Sequence, residues 1–277
     1  MQYNKFDKRM KTYEYVSRNY LLRRTPVIIR IDGKAFHTFT RGLKKPFDDI
    51  LSLTMQQTMK YLCENIQGCV LGYTQSDEIT LILIDYQDID TSAWFDYNIQ
   101  KCSSVSASMA TAAFNHYWRS NVIDAMYDCC YDPENENYGD KVLSGKEKEY
   151  DNLSSVYMKK DFACFDSRCF NLPKEEVCNN IYWRQQDATR NSIQMVGRAY
   201  FSPRQLLFKS CNEIQDMLML EKGVNWNDVP TKYKRGSCCI RKFNENSGHN
   251  SWVIDNEIPI FKGDGRKYID DLVCVGE

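Results

Sequence analysis

Residues 27–39, VIIRIDGKAFHTF, and residues 73–84, YTQSDEITLILI, decide how this chain folds. In the first, a β-branched apolar run ends in Asp32 and Gly33, which places the acid where a buried strand leaves a sheet and lets the glycine turn the chain. In the second, Ser76-Asp77-Glu78 separates two strand-like runs, GCVLGY and ITLILI, the pattern of a hairpin with a polar tip. Both acids therefore fall at strand ends. Two carboxylates there, one beside a glycine carbonyl, suit a pair of magnesium ions, because Mg²⁺ takes one or two protein carboxylates and fills its octahedron with water and phosphate oxygens. Asp and Gly at a strand end are also ordinary turn residues, so the rest of the chain has to decide.

The 277 residues are 43% hydrophobic and 13% aromatic with only 7 prolines and 13 glycines, the composition of a globular protein with enough chain for a sizeable core. Lys+Arg 36 against Asp+Glu 37 leaves a net charge of −1, so any basic surface for nucleic acid must be local. The 12 cysteines contain no C-x-x-C and the histidines are His37, His116 and His249, so a zinc site is not expected. No apolar signal segment opens the chain and no run reaches membrane-helix length. The expectation is a cytoplasmic protein with reduced thiols and no membrane association.

Met10, Tyr13, Val16 or Ser17, and Tyr20 recur at helical spacing within residues 3–24 and predict an N-terminal helix packed on the domain. A strand follows at 27–32, then a loop over 34–49 carrying Arg41, Lys44 and Lys45. Asp48 or Asp49 can cap the next helix, whose Leu51, Met55, Met59 and Leu62 share one face up to about Asn65. After the hairpin of 69–84, Ile99, Cys102, Ser106, Met109, Ala113 and Tyr117 mark a helix over 98–118, with small residues that let it lie close to a sheet. A polar loop is expected over 128–155 and a fourth strand at 163–170. The resulting β-α-β-β-α-β order is the ferredoxin-like arrangement that polymerases and cyclases use as a palm, an α+β fold that does not by itself choose among them.

From 174 onward one long helix is expected, with Val177, Ile181, Ala188, Val196 and Tyr200 facing inward and Arg184 and Asp187, one turn apart, as a surface pair. Residues 210–213, SCNE, form a capping box opening a helix that ends near Gly223. Two strand-like runs, GSCCIRKF and SWVIDNEIPIF, close the chain, and Lys232, Lys234, Arg235, Arg241 and Lys242 make its densest basic stretch. The expected division is a catalytic palm with its N-terminal helix over 1–173 and a C-terminal helical and β-hairpin lobe over 174–277 packed on it.

RIDGKAFHTF, KKPFDD, YTQSDEITLIL, FDSRCFNLP and WRQQD, in this order and spacing, resemble the tRNA-histidine guanylyltransferase family over essentially the whole chain. The resemblance is closest to the bacterial and archaeal-type branch of guanylyltransferase-like 3′-to-5′ polymerases. It implies that Asp32 and Asp77 bind two Mg²⁺ ions with the backbone carbonyl of Gly33, and that Glu78 is a further acid of the catalytic set. Strand alternation points Glu78 away from Asp77, so a positioning role is equally open. The resemblance also implies nucleotide contacts at Lys45 and Ser76, with His37 and Asp48 near the activating nucleotide. A lone histidine such as His37 is often only structural. In the family reaction ATP adenylylates the 5′-monophosphate of an RNA; the 3′-hydroxyl of an incoming nucleotide such as GTP then attacks that end and AMP leaves. The implied partner is a tRNA that is 5′-truncated or lacks its 5′ nucleotide, and the implied assembly is a homotetramer.

The eukaryotic enzymes of the family carry a His-Ile-Asn-Asn-Leu-Tyr-Asn motif after the segment that reads WRQQD here. This chain has Thr189-Arg190-Asn191-Ser192-Ile193-Gln194-Met195, keeping Asn191 as a nucleotide contact but not the histidine. Where those enzymes place arginines on the second palm helix to hold triphosphate, it offers Tyr97 and Asn98 with Lys101 nearby. The resemblance thus favours templated addition to truncated tRNA over the alternative, a single guanylate on tRNA-histidine. Arg184 and the stretch with Lys232, Lys234 and Arg235 are candidate RNA contacts, although such runs are commonly solvated surface. Two other classes stay open. A diguanylate-type cyclase usually shows Gly-Gly at the hairpin tip, where this chain has Gln75-Ser76-Asp77-Glu78; a non-catalytic RNA-binding module is weakened by the intact acids and near-neutral charge.

Overall fold

Alternation along residues 27–31 sends Val27, Ile29 and Ile31 to one face and Ile28 to the other, and all four are fully buried, so this strand needs cover on both sides. The computed structural model describes residues 4–131, 143, 145–244 and 248–275. Its strands are β1 (Val27–Gly33), β2 (Cys69–Gln75), β3 (Glu78–Leu83), β4 (Phe165–Asn171), β5 (Ser237–Asn244) and β6 (His249–Asp255). Its helices begin with α1 (Lys5–Val16), α2 (Phe36–Phe39), α3 (Asp49–Asn65), α4 (Ile99–Cys130) and α5 (Glu147–Asn152). They continue with α6 (Lys174–Tyr200), α7 (Pro203–Leu206), α8 (Cys211–Lys222), α9 (Thr231–Arg235) and α10 (Lys267–Val273).

The strands make one antiparallel sheet in the order β4-β1-β3-β2-β5-β6. Its first four strands with α3 and α4 are the expected ferredoxin-like palm. On one face, Met55, Met59 and Leu62 of α3 and Phe114 and Trp118 of α4 pack on Ile29, Ile31 and Leu81. The small residues of α4 allow close approach: the Ser106 hydroxyl lies 2.8 Å from that of Ser167 on β4. On the other face, Val177, Cys178 and Ile181 of α6 cover Ile28, Ile82 and Tyr73, with Ile269 and Val273 of α10 beside them. A third cluster, Ile193, Val196, Ile214, Leu218 and Trp226, joins the far half of α6 to α8. β5 pairs with β2, Tyr73 opposite Cys238, so the sheet runs continuously from the palm strands into the C-terminal hairpin.

Several expectations need correction. α1 is not packed on the domain: none of its residues is buried, and Tyr13 and Val16 are 69% and 83% exposed. Beyond it the chain is tied down where Tyr20 bridges to Asn98 and the Leu22 amide donates to the Asn171 side chain at 2.8 Å. The second palm helix does not stop at 118 but continues to Cys130, with Val122 and Cys129 extending its buried stripe and polar residues on its outer face. The loop expected over 128–155 is therefore helical at both ends, in α4 and α5, while residues 132–142 and 144 lie outside the described residues. Tyr200, expected inward, is 47% exposed, and the ring buried at this end of α6 is that of its neighbour Phe201, which joins the cluster with Ile214 and Leu218. The loop over 34–49 contains the single turn α2, and α10 was not foreseen.

Candidate active site

The two acids meet because the β2–β3 hairpin turns in two residues, Ser76 and Asp77, with Ser76 at a left-handed φ of 51°. The Gly33 amide donates to the Asp77 carbonyl at 3.1 Å and fastens the hairpin tip to the end of β1, where Asp32 occupies the last pair of the β1–β3 ladder. Gly33 is required by crowding: a Cβ there would lie 2.3 Å from the Phe36 ring. That ring is held in place by Phe114 and Phe165, with centroids 5.4 and 5.2 Å away.

Neither Asp32 nor Asp77 has an ion-pair partner among the described residues. Burial pushes the Asp77 pKa above the ordinary aspartate value and the charge of Asp32 adds to the rise, while the Ser76 hydroxyl, donating at 2.9 Å, opposes it. Two carboxylates about 4 Å apart repel by roughly 4 kcal/mol at an effective dielectric near 20. Uncompensated hard oxygen donors of this kind fit a divalent cation of the Mg²⁺ type.

Glu78 is a different case. Nε and one terminal nitrogen of Arg184 donate to its two oxygens at 2.7 Å each, and the same terminal nitrogen donates to Asp187 at 3.0 Å. Burial raises the Glu78 pKa and Arg184 opposes the rise. The expected surface pair of Arg184 and Asp187 is thus a buried network; the Arg184 side chain, 10% exposed and turned onto Glu78, is not presented to RNA. Both Glu78 oxygens are engaged.

A cleft of about 500 Å³ brings Asp32, Gly33, Ser76 and Asp77 together with His37, Lys45 and Asp48. The Asp48 carboxylate caps α3 through the Leu51 amide at 2.8 Å, and accepts from the Lys44 amide at 3.1 Å and from the Tyr157 hydroxyl, so it pins the 34–48 loop. An adjoining pocket holds Asn191 and Lys232 and is walled by the Phe47 ring stacked on Tyr233 at 4.5 Å. Neither of those aromatics was singled out in the sequence, where nothing marks a pairing 186 residues apart. Lys232 pairs with Asp49 at 3.3 Å, Lys234 donates to the Asn227 carbonyl, and Arg235 ends α9. Lys101 is not at this site. Thr111 of α4 reaches Phe165, the partner of Gly33, whereas Lys101 is ten residues earlier, about 15 Å back along the helix, with its ammonium over Phe95. The second palm helix starts at the wrong end of the sheet to present it.

A model of the tRNAHis guanylyltransferase family matches residues 7–173. A solved bacterial tRNA(His) guanylyltransferase-like protein in complex with ATP is 41% identical and superposes with a TM-score of 0.79, over 97% of this chain and 98% of that one. A bacterial protein of the same description in complex with GTP is 38% identical, with a TM-score of 0.72 over 98% and 100%. The tRNA(His) guanylyltransferase of Saccharomyces cerevisiae is 25% identical over 243 residues, 83% of this chain and 88% of the yeast protein. With the family model spanning the palm and its acids, and structural similarity running from end to end, this chain belongs to the tRNAHis guanylyltransferase family.

Proposed function

We propose that this chain is a nucleotidyltransferase that extends the 5′ end of a truncated tRNA with templated nucleotides, in the direction opposite to ordinary polymerases. The observation that carries the reading is the juxtaposition of Asp32 and Asp77, neither in an ion pair among the described residues, at the mouth of a cleft lined by Lys45 and Ser76. Asp32, Asp77 and the Gly33 backbone would hold Mg²⁺, which when bound lowers the pKa of an attacking hydroxyl and offsets phosphate charge. The chain's own residues do the rest. Ser76 orients Asp77 through its hydrogen bond, and Asp48 holds the loop that carries His37 and Lys45 over the acids. Lys45 supplies a cation for a triphosphate.

Bound ATP and GTP in the bacterial neighbours support nucleoside triphosphates as the occupants of this cleft. In the activation step an oxygen of the RNA 5′-monophosphate attacks the α-phosphorus of ATP and pyrophosphate leaves. In the transfer step the 3′-hydroxyl of the incoming nucleotide attacks the activated 5′ phosphorus and AMP leaves. Lys232 of α9 lines the adjoining pocket, and it is assigned with its α9 neighbours Lys234 and Arg235 to tRNA phosphates. The exposed Phe6, Tyr13 and Val16 of α1 offer apolar surface for a homotetramer, which light scattering would read directly. Twelve unpaired cysteines agree with a cytoplasmic setting, and no helix among the described residues is long and apolar enough to cross a membrane.

The test supplies Mg²⁺, ATP, all four nucleoside triphosphates and a 5′-monophosphorylated tRNA lacking its first nucleotide, with the opposing base varied. Incorporation that follows the opposing base in several tRNAs is the expected result. Guanylate alone, and only on tRNA-histidine, makes the protein a guanylyltransferase; no product on any RNA ends the reading.

A further inference from the structure

Two rows of side chains cross the α6 face of the sheet beside the hairpin tip. Asp32 stands between Asp166 on β4 and Glu78 on β3; two residues back along β1, Arg30 stands between Arg168 and Thr80. Residues directly opposed in an antiparallel pair share a face at about 5 Å between Cβ atoms, and like charges so placed are destabilising. Arg30 and Arg168 are therefore a cross-strand pair of guanidinium groups that calls for an anion. The protein supplies one only in part. Arg168 takes Asp166 at 2.9 Å, both about half exposed; Glu78 lies near enough to feel the charge of Arg30 but takes its hydrogen bonds from Arg184; and Nε of Arg30 is buried without a hydrogen-bond partner among the described residues. Trp183 of α6 stands beside the pair, 52% exposed, with the guanidinium of Arg30 5.9 Å and that of Arg184 4.6 Å from its ring. The first two residues of WRQQD thus part company, Arg184 turning inward while Trp183 stays at the surface. An accessible indole beside a pair of arginines is the make-up of a single-strand nucleic-acid site, where bases stack on the ring and guanidinium forks take phosphate.

We propose that Arg30 and Arg168 bind the first internucleotide phosphate of the RNA whose 5′ end reacts at Asp32 and Asp77, and that a base at that end stacks on Trp183. The inference rests on the nucleotidyl-transfer reading above. Arg30 and Asp32 lie on one face of β1 two residues apart, about 7 Å, so a phosphate at the arginine row leaves the terminal phosphate at the acid row. Arg30, Arg168 and Trp183 are not part of the cleft that holds His37 and Lys45, so the RNA and the nucleotide reach the acids from different sides. A free triphosphate has the same phosphate chemistry as the RNA backbone, and the two sources are separable by experiment.

Full-length Trp183→Ala, Trp183→Phe and Arg168→Ala are compared with the wild type in three measurements: anisotropy with a 5′-monophosphorylated acceptor-stem hairpin lacking its first nucleotide, calorimetric titration with Mg²⁺-ATP, and thermal midpoint. Trp183→Ala is expected to weaken RNA binding about tenfold or more, the scale of a lost base stack, with Trp183→Phe recovering most of it. Arg168→Ala is expected to weaken binding and reduce the salt slope by about one. ATP affinity stays unchanged, and in turnover the KM for RNA moves more than kcat. Unchanged RNA affinity in both alanine variants overturns the proposal, as does a loss confined to ATP, which would make this a triphosphate site. Equal losses in the Ala and Phe variants together with a lower midpoint reduce Trp183 to a structural role and also overturn it. A wild type that binds the hairpin with this mutational pattern but adds no nucleotide breaks the functional reading alone; one that adds nucleotides with all variants binding normally breaks the platform alone.

Discussion

Asp77 and Glu78 are consecutive in the chain and opposite in circumstance. Asp77 sits in the turn, faces Asp32, and has a serine hydroxyl but no cation among the described residues; Glu78 begins β3, points under α6, and receives two hydrogen bonds from Arg184. The difference follows from position at the hairpin tip: Asp77 stands in the turn, after a residue with left-handed φ, whereas Glu78, paired with Asp32, heads β3 on the sheet face that Arg184 of α6 covers. It teaches that the chemistry lies with the carboxylate the fold leaves unmatched, while the matched one ties α6 to the palm sheet.

The largest effect expected from breaking this contrast is on stability. Arg184→Met leaves Glu78 buried without its partner and should cost about 3–5 kcal/mol in urea unfolding, whereas Arg184→Met combined with Glu78→Leu should recover most of it. On the other side of the contrast, Asp77→Asn should lower turnover at least ~10²-fold, the scale of losing a central electrostatic group, with the urea midpoint unchanged or raised because a repulsive charge has gone. A pH series sharpens the point. Because the Asp77 pKa is raised, its carboxyl takes up a proton at a higher pH than an ordinary aspartate, and protons compete there with a divalent ion. The Mg²⁺ concentration for half-maximal activity should climb as pH falls. The smallest effect marks the baseline: Ser210→Ala, which opens the capping box of α8 far from either acid, should cost about 1 kcal/mol and leave turnover alone.

The palm was legible in the sequence because its signals are local and periodic. The apolar run ending in Asp32-Gly33, the polar hairpin tip, and the α3 stripe of Met55, Met59 and Leu62 each announce an element and its buried face. What the sequence hid depends on distance or direction. Glu78 and Arg184 are 106 residues apart, so their pairing leaves no local trace, and an arginine in a helix next to an acid one turn on looks like a surface pair. Lys101 was misplaced because it came from its nearness in the chain to positions where related enzymes carry arginines, and that says nothing about which end of the sheet the helix starts from. The α1 stripe showed an apolar face without showing what covers it. Arg30 was not singled out either: it stands between Ile29 and Ile31, a charge on the alternate face of a buried strand, and only the register with Arg168 gives it meaning.

The most direct test of the central claim is a single-turnover comparison of wild type and Asp77→Asn, adding one nucleotide to a 5′-monophosphorylated tRNA that lacks its first residue. The account predicts addition matched to the opposing base by the wild type and a rate at least ~10²-fold lower in a variant that unfolds at the same urea concentration or higher. Equal rates for the two proteins would contradict it.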